Sequence, residues 1–263
     1  MITFRELVTA LRQLGLNGTQ PIIAHASLSA FGPVKGGADT LVGSILAVSA
    51  GVMMPTFTYK TMLTPPDGPP NNGITYGSEG DQNQMAEFFH PEMPADTLMG
   101  IVAETLRQHP QAQRSIHPIY SFAGVHLEEA IHAQTLAEPF APIEWLTDSQ
   151  GMVLLLGVDH TANTSIHYAE QRAGRRRFIR WALTSQGIVE CPAWPGCSFG
   201  FNAITPWLES YTRKIILGNA LIQLIPLSML VRTTERIIAA DPNALLCELE
   251  DCERCQAVRD SLR

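Results

Sequence analysis

The sequence is poor in charged residues: lysine, arginine, aspartate and glutamate together make up 16% of its 263 residues. Basic residues are the scarcer kind, 18 against 25 acidic ones, and the formal net charge is -7 at pH 7. Nucleic acids and anionic membranes bind to basic surfaces, so neither is expected as a partner. The acidic balance favours a small cationic ligand, because long-range attraction would draw it to the protein.

The sequence also lacks an apolar run that could cross a bilayer, since the longest ones, residues 40–54 and 215–231, are too short or interrupted. Residues 1–15 carry an amphipathic helix pattern instead of the apolar core of an export signal. The five cysteines are an odd number, which together with the missing signal argues against a disulfide framework. These absences predict a soluble, cytoplasmic protein.

Hydrophobic residues make up 45% of the chain, enough for a sizeable core, and they fall into strand and helix patterns. The segments PIIAHA (21–26) and GVMMP (51–55) are typical of buried strands, and residues 38–49 between them are typical of a helix. Strand, helix and strand at this spacing predict a right-handed βαβ unit. We therefore predict one α/β domain over residues 1–263, with a central mixed or largely parallel sheet flanked by helices.

Residues 56–95 interrupt this regular alternation. The segment contains PPDGPPNNG and is too long and too rich in proline and glycine for an ordinary connection. Such an excursion is either a functional cover or disordered, and the first alternative gains support from its aromatic and acidic residues, Phe57, Tyr59, Tyr76, Glu79, Asp81 and Phe88.

The segment 151–170, GMVLLLGVDHTANTSIHYAE, indicates a strand, a turn and a helix. Asn163 is the expected N-cap, and His167 and Glu170 then lie on one face of the helix. A carboxylate beside an imidazole orients it and raises its basicity, which suits a general base. The alternative is a purely structural buried pair. The arginine run 175–177 that follows is predicted to be a solvated turn.

A turn rich in small residues follows the first strand and contains Ser27, Ser29, Lys35, Gly36 and Gly37. Free N–H groups at the start of the next helix, with a lysine nearby, could hold a phosphate group. The segment fits neither the dinucleotide nor the Walker A pattern, so a structural turn is the alternative.

Arg114 and Ser115 precede His117 and Pro118, where the chain turns into another strand. This basic pair could contact an anion, or it could belong to a structural turn.

The cysteines fall into pairs, Cys191 with Cys197 in CPAWPGC and Cys252 with Cys255 in a C-terminal tail, residues 247–263. Two such pairs can converge on a tetrahedral zinc ion, and we predict these four residues as its ligands. Unbound reduced thiols are the alternative. None of the four is near His167 in sequence, so this metal would be structural.

Several of these motifs coincide with those of a known family. The chain resembles the aminoglycoside 3-N-acetyltransferases, which have the antibiotic N-acetyltransferase fold. The motifs Arg-Ser-x-His-Pro and Asn-Thr-Ser-x-His are the specific ones, and the similar segments are HASLSAFGPVKGG, VMMPTFT, FFHPEMPADTLMGIVAETLR, RSIHPIYSFAG, LLLGVDHTANTSIHYAE and LGNALIQLIPLSMLVRTTERII.

The resemblance implies an enzyme that transfers an acetyl group from acetyl-CoA to the 3-amino group of a 2-deoxystreptamine aminoglycoside, which confers antibiotic resistance. It implies His167 as general base toward the amine and Glu170 as its partner, and backbone N–H groups near Thr164 are placed to stabilise the oxyanion. Coenzyme A binding is implied for Ser27, Ser29, Lys35, Gly36, Gly37, Arg114 and Ser115. Residues 56–95 would be the acceptor-side excursion.

Two residues depart from the family's pattern: Thr161 replaces an aspartate, and Ala26 replaces the first serine of HSS. The excursion also lacks the family's tryptophan-rich loop, which lies on the acceptor side. The acceptor could therefore be another amine, such as an amino-sugar or aminophosphonate metabolite. A non-catalytic, zinc-stabilised binding protein is the alternative of a different class. A monomer or homodimer fits either reading.

Overall fold

The computed structural model describes residues 1–77 and 80–262, and of residues 81 and 82 it describes the backbone. The described α-helices are α1 Phe4–Gln13, α2 Gly37–Leu46, α3 Gly80–Gln84, α4 Gly100–Arg107, α5 Glu128–Ala133, α6 Ala141–Asp148, α7 Ser165–Arg172, α8 Thr205–Leu208, α9 Leu227–Ala240 and α10 Glu253–Ser261. The described strands are β1 Pro21–Ala26, β2 Gly51–Pro55, β3 Met62–Leu63, β4 Gln113–Arg114, β5 Phe122–Val125, β6 Met152–Leu156, β7 Phe178–Thr184, β8 Gly187–Trp194, β9 Arg213–Leu217 and β10 Ala220–Pro226.

Seven of these strands form the central sheet, in the order β4-β5-β2-β1-β6-β10-β9. Its middle strand β1 is parallel to β2 and to β6, with Ile22 opposite Val52 on one side and Met152 on the other. The outer strands pair antiparallel. The predicted mixed sheet and the β1-α2-β2 unit are thus confirmed, and the carboxyl ends of the three parallel strands lie at one edge of the sheet.

The sheet has a hydrophobic core on each side, because successive residues of a strand point to opposite faces. Ile22 and Leu154 pack with α1, α2 and α4, whereas Ile23 and Val153 pack with α5, α6, α7 and α9. All four side chains are fully buried. The three-layer arrangement leaves the sheet's carboxyl edge as the place where a cavity can form.

The excursion, residues 56–95, packs on a second sheet, of order β3-β7-β8. Its strand β3 pairs with β7, and the side chain of Asn72 donates to the carbonyl oxygen of Ile179 (3.1 Å) and accepts from its N–H (2.8 Å). The described part is therefore ordered rather than disordered. Of its acidic residues, Glu79 and the side chain of Asp81 lie outside the described structure.

Residues 201–212 form the short α8 between two 3-10 turns, not one continuous helix. Pro206 explains the break, because it lacks the N–H that a continuous helix requires. The apolar run 215–231 contributes the hairpin β9-β10 before α9 begins. Among the described helices, none is long and apolar enough to span a membrane.

Candidate active site

The turn after β6 places the start of α7 at the carboxyl edge of the sheet. The predicted cap, Asn163, accepts a hydrogen bond from the N–H of Ser165 (3.2 Å) through its side chain, and the helix begins at Ser165. The N-cap of α7 is Thr164, one residue after the predicted Asn163. Asp159 stabilises the turn by accepting from the N–H of Thr161 (2.9 Å) and from the side chain of Asn202 (2.8 Å). The first turn of α7 therefore faces the edge of the sheet in a fixed orientation.

His167 and Glu170 form the predicted pair, with 3.0 Å between His167 Nδ1 and Glu170 Oε2. The other carboxylate oxygen of Glu170 accepts from Arg175 Nη1 (2.9 Å), and Arg175 also donates to the carbonyl oxygens of Pro242 and Ala244. A carboxylate held by an arginine is ionised and can only accept hydrogen bonds. The Nδ1 atom of His167 therefore carries a proton, and its Nε2 atom is the one left to act as a base.

The predicted solvated turn at residues 175–177 is wrong for Arg175, which is 8% exposed and belongs to this pair. Two aromatic rings lie beside the ring of His167, with centroid distances of 6.3 Å to Phe140 and 4.7 Å to Phe201. The imidazole is thus fixed by packing as well as by its hydrogen bond.

A cavity of about 500 Å³ opens in front of His167 at the carboxyl edge of the sheet. Its wall is strongly aromatic: Tyr120 stacks on Trp194 with centroids 4.7 Å apart, and Phe57 meets Tyr120 edge-on at 4.6 Å. Aromatic faces of this kind suit the apolar face of a sugar ring or a thioester chain. The excursion contributes Phe57, Tyr59 and Met62 to this wall.

His25, at the end of β1, also lines this cavity. It is 6% exposed, and its Nε2 atom has no hydrogen-bond partner among the described residues. Burial lowers the pKa of His25 to about 3, so its imidazole is neutral at physiological pH. It thus offers the cavity wall a polar group without a charge.

A second cavity of about 540 Å³ adjoins the first along Ala26, Met99 and Val158. It is lined by Ser27, Ser29, Gly32 and Gly37, and the hydroxyl oxygens of the two serines are 3.1 Å apart. The helix α2 starts here, after Gly36 in the left-handed conformation (φ 82°). Lys35 and Gly36 lie beside this cavity in the chain but do not line it. Together the two adjoining cavities form a cleft that His167 lines.

The structure does not bring Arg114 or Ser115 to either cavity. Arg114 donates to the carbonyl oxygens of Thr56 (2.8 Å), Pro91 (2.9 Å) and Met93 and to the hydroxyl of Ser121 (3.1 Å). Ser115 is buried and accepts from the N–H of Phe122 (2.8 Å). Their polar atoms form hydrogen bonds within the protein and fasten the excursion to the sheet, so coenzyme binding by these two residues stays a prediction.

We expect Arg114→Met to lower the free energy of unfolding by about 3 kcal/mol, because the carbonyl groups of the buried residues Thr56 and Met93 would lose a charged donor. Urea unfolding of the purified protein measures this change. Arg5→Met, an exposed site on α1, is the control and should change stability by less than about 0.5 kcal/mol. Equal stability of the two variants would contradict the fastening role.

Four cysteines converge on one site: Cys197, Cys247, Cys252 and Cys255 have sulfur atoms within 4.8 Å of one another. Cys191 is not among them, which corrects the predicted set. It lies on β8 with its side chain in the main core, and burial raises the pKa of its thiol to about 12. Cys247 takes its place. The tail sequence CELEDCERC contained this signal, since all three of its cysteines contribute.

The geometry of the four thiols fits a zinc ion. A tetrahedral site with Zn–S bonds of about 2.3 Å separates its sulfur atoms by roughly 3.8 Å, and the Cys247 and Cys255 sulfur atoms are 3.4 Å apart. A hydrogen bond from Cys255 lowers the pKa of Cys197 to about 5, which favours the thiolate form that binds metals. Four thiols with no other polar donor leave no open position for catalysis.

The cleft and its histidine–carboxylate pair form the candidate active site. Comparison with known proteins specifies the class. The family model described as aminoglycoside 3-N-acetyltransferase matches residues 23–239. The chain belongs to the aminoglycoside 3-N-acetyltransferase family.

Individual relatives agree with this assignment. Aminoglycoside N(3)-acetyltransferase III of Salmonella sp is 29% identical over 74% of this chain and 76% of its own. Aminoglycoside N(3)-acetyltransferase VII of Streptomyces paromomycinus is 32% identical over 68% of this chain and 64% of its own. The crystal structure of the apoenzyme of aminoglycoside acetyltransferase AAC(3)-IVa superimposes with a TM-score of 0.80 at 26% identity, covering 99% of this chain and 98% of that one.

Proposed function

We propose that this protein transfers the acetyl group of acetyl-CoA to an amine, in a ternary complex with His167 as general base. The acceptor that we propose is the 3-amino group of the deoxystreptamine ring of an aminoglycoside, which would inactivate the antibiotic. One observation carries the proposal: the Arg175–Glu170–His167 chain ends at a cavity, with the free imidazole nitrogen left to take a proton.

The proposed transfer begins with removal of a proton from the acceptor and ends with release of the coenzyme A thiolate. His167 Nε2 takes a proton from the acceptor's ammonium group, and the neutral amine attacks the thioester carbonyl carbon. The C–N bond forms and the C–S bond breaks, and the thiolate leaves. Glu170 stabilises the positive imidazolium that forms, and Arg175 holds Glu170 in place. The second proton of the attacking nitrogen passes to the departing sulfur or to water.

We place coenzyme A in the second cavity. Its serine hydroxyls, Ser27 and Ser29, and the small residue Gly37 at the start of α2 leave room and N–H groups for the pantetheine and phosphates. Lys35 is exposed beside this helix start and supplies a positive charge. The thioester then reaches His167 where the two cavities adjoin. The N–H groups at Thr164, where α7 begins, would face the developing oxyanion.

The acceptor side is the aromatic wall that the excursion builds. Support for an aminoglycoside comes from the relatives' names and from the structure of an AAC(3)-IVa variant in complex with a gentamicin, which is 25% identical with a TM-score of 0.79. We infer that residues 56–95 decide which amine meets the base, because Phe57, Tyr59 and Met62 of this segment line the cavity.

A thiol-release assay with acetyl-CoA tests the proposal. Aminoglycosides with a deoxystreptamine ring are compared with glucosamine and simple diamines. We expect release with at least one aminoglycoside, and acetylation at its 3-amino group by NMR of the product. Release with other amines but with no aminoglycoside would refute the acceptor. No release with any amine, from a protein that contains zinc, would favour a non-catalytic binding protein.

We expect Glu170→Gln to lower kcat by about 10- to 100-fold, because glutamine keeps the shape but no longer stabilises the imidazolium. Steady-state kinetics with saturating acetyl-CoA measure the change. Glu235→Gln on α9 is the matched control, since Glu235 pairs with Arg172 near the surface and lies outside the cleft. A wild-type kcat for Glu170→Gln would show that His167 does not need the carboxylate.

We propose that the cluster Cys197, Cys247, Cys252 and Cys255 holds a structural zinc ion. The ion would supply a cross-link between the loop after β8 and the C-terminal tail. The support is the four-thiol donor set and its spacing.

A further inference from the structure

Arg254 connects the cysteine cluster to the cavity. It is the second residue of α10, between the cluster cysteines Cys252 and Cys255, and it lines the same cavity as His167. The segment around Cys197 also reaches this cavity, since Gly196 and Ser198, the residues on either side of Cys197, line it. Two segments that the cluster ties together thus form one part of the cavity wall.

The guanidinium of Arg254 keeps most of its hydrogen-bonding capacity. Its Nη1 atom donates to the carbonyl oxygen of Gly196 (3.2 Å), and within the described part of the chain no carboxylate pairs with it. Burial raises the pKa of Tyr59 and of Tyr120, two tyrosines of the aromatic wall, and the charge of Arg254 offsets part of this rise. The positive charge therefore lies beside the aromatic wall of the cavity.

The same cavity has no carboxylate among the lining residues that the structure describes. Asp96 is the carboxylate whose charge acts on Tyr59, but it does not line the cavity, and its Oδ1 atom accepts from the N–H of Leu98 (3.0 Å). A wall of this kind repels an ammonium group placed next to Arg254 and attracts oxygen atoms.

The adjoining cavity, where the coenzyme is proposed to lie, does not include Arg254 among its lining residues. Arg254 lines the first cavity together with Trp194 and Tyr59, and neither of these two lines the adjoining cavity. The free N–H groups of Arg254 are therefore expected to contact the substrate that accepts the acetyl group, and not the coenzyme.

We propose that Arg254 is a specificity-determining residue, which selects acceptors that present oxygen atoms to it, best an anionic phosphate or carboxylate. An ammonium group at that position is disfavoured. The inference rests on the proposed acetyl transfer and narrows its acceptor. Among aminoglycosides it favours those with a hydroxyl group there, and it extends the acceptors to amino-sugars that carry an acidic group.

Glucosamine and glucosamine 6-phosphate are suitable probes, because they differ only in the phosphate group. We expect the wild-type KM to be about tenfold lower for the phosphorylated amine, since a guanidinium–phosphate pair is a strong charge-assisted contact. Arg254→Ala should remove the difference, and Arg254→Glu should reverse it. Arg254→Lys should restore part of it, because lysine keeps the charge but not the planar fork. The KM for acetyl-CoA should stay within about twofold throughout, since the arginine lies outside the coenzyme cavity.

Gln256→Glu is the matched control, since it adds a negative charge on the exposed side of the same helix and should leave the KM ratio unchanged. Calorimetric binding of both amines to the coenzyme A complex gives a second measurement that does not need turnover. If the two amines bind wild type and Arg254→Ala with the same ratio, the inference is overturned, even if acetyl transfer occurs. If the variants alter the KM of acetyl-CoA instead, Arg254 serves the coenzyme. Absence of turnover with a preserved binding difference would refute acetyl transfer alone.

Discussion

His167→Ala is expected to lower kcat by about 10²- to 10⁴-fold, the range that a general base contributes, and to leave coenzyme A binding unchanged. The acceptor's amine is protonated at neutral pH, and without the imidazole no group in the described wall is placed to take its proton. His25 cannot replace it, because burial lowers its pKa to about 3 and it is far too weak a base. Single-turnover kinetics with acetyl-CoA separate the chemical step from binding, which calorimetry with coenzyme A measures.

His132→Ala is the control, because His132 is exposed on α5 and lines neither part of the cleft. The pH profile distinguishes a base from a positioning group: if His167 is the base, the residual activity of His167→Ala should rise with pH as more free amine forms. A variant that keeps wild-type kcat would exclude His167 as the base. Loss of coenzyme A binding together with activity would show that the histidine has a structural role.

The contact between His167 and Glu170 could be predicted from sequence because their relation is local. His167 and Glu170 are three residues apart, and an α-helix places residues at that spacing on one face. The strand before them is a continuous apolar run, which predicts a buried strand. The helix that follows it therefore begins at the carboxyl edge of the sheet. The parallel strands β1, β2 and β6 could be expected for the same reason, except for the register that tertiary pairing sets.

The partners of these residues could not be predicted, because they come from distant parts of the chain. Arg175 looks like part of a basic surface turn, but it is buried by carbonyl groups near residues 242–244. Arg114 looks like an anion-binding residue, but its donors are taken by carbonyls of the excursion. An arginine's role depends on which acceptors the fold brings to it, and sequence spacing does not contain that information.

The members of the cysteine cluster also could not all be predicted from sequence spacing. The pairing of Cys191 with Cys197 rested on spacing, but alternation along β8 turns the Cys191 side chain into the core. Cys197 lies beyond the strand, where the chain is free to turn toward the tail. Because β8 ends between Cys191 and Cys197, only Cys197 reaches the cluster. Cys247 supplies the fourth cysteine.

Removal of zinc is the second large effect that we expect. Cys255→Ser and Cys247→Ser should each abolish the binding of one zinc ion per chain, because the fully thiol site loses a ligand. A structural zinc site contributes on the order of 10 kcal/mol of binding free energy in small zinc domains. We therefore expect a clear fall in Tm and early proteolysis of the tail, measured by calorimetry and limited trypsin digestion, with metal content from atomic absorption.

Cys191→Ser provides the decisive control, because it makes the same chemical change at the cysteine that spacing alone had predicted as a ligand. It should cost stability by burying a hydroxyl, yet keep one zinc ion per chain. If Cys191→Ser loses zinc and Cys247→Ser keeps it, the structural assignment of the ligands is wrong. If all variants and the wild type lack zinc after growth with added metal, the cluster is a set of free thiols. Since Arg254 lies between two of the ligands, chelation should also raise the KM of the acceptor more than that of acetyl-CoA.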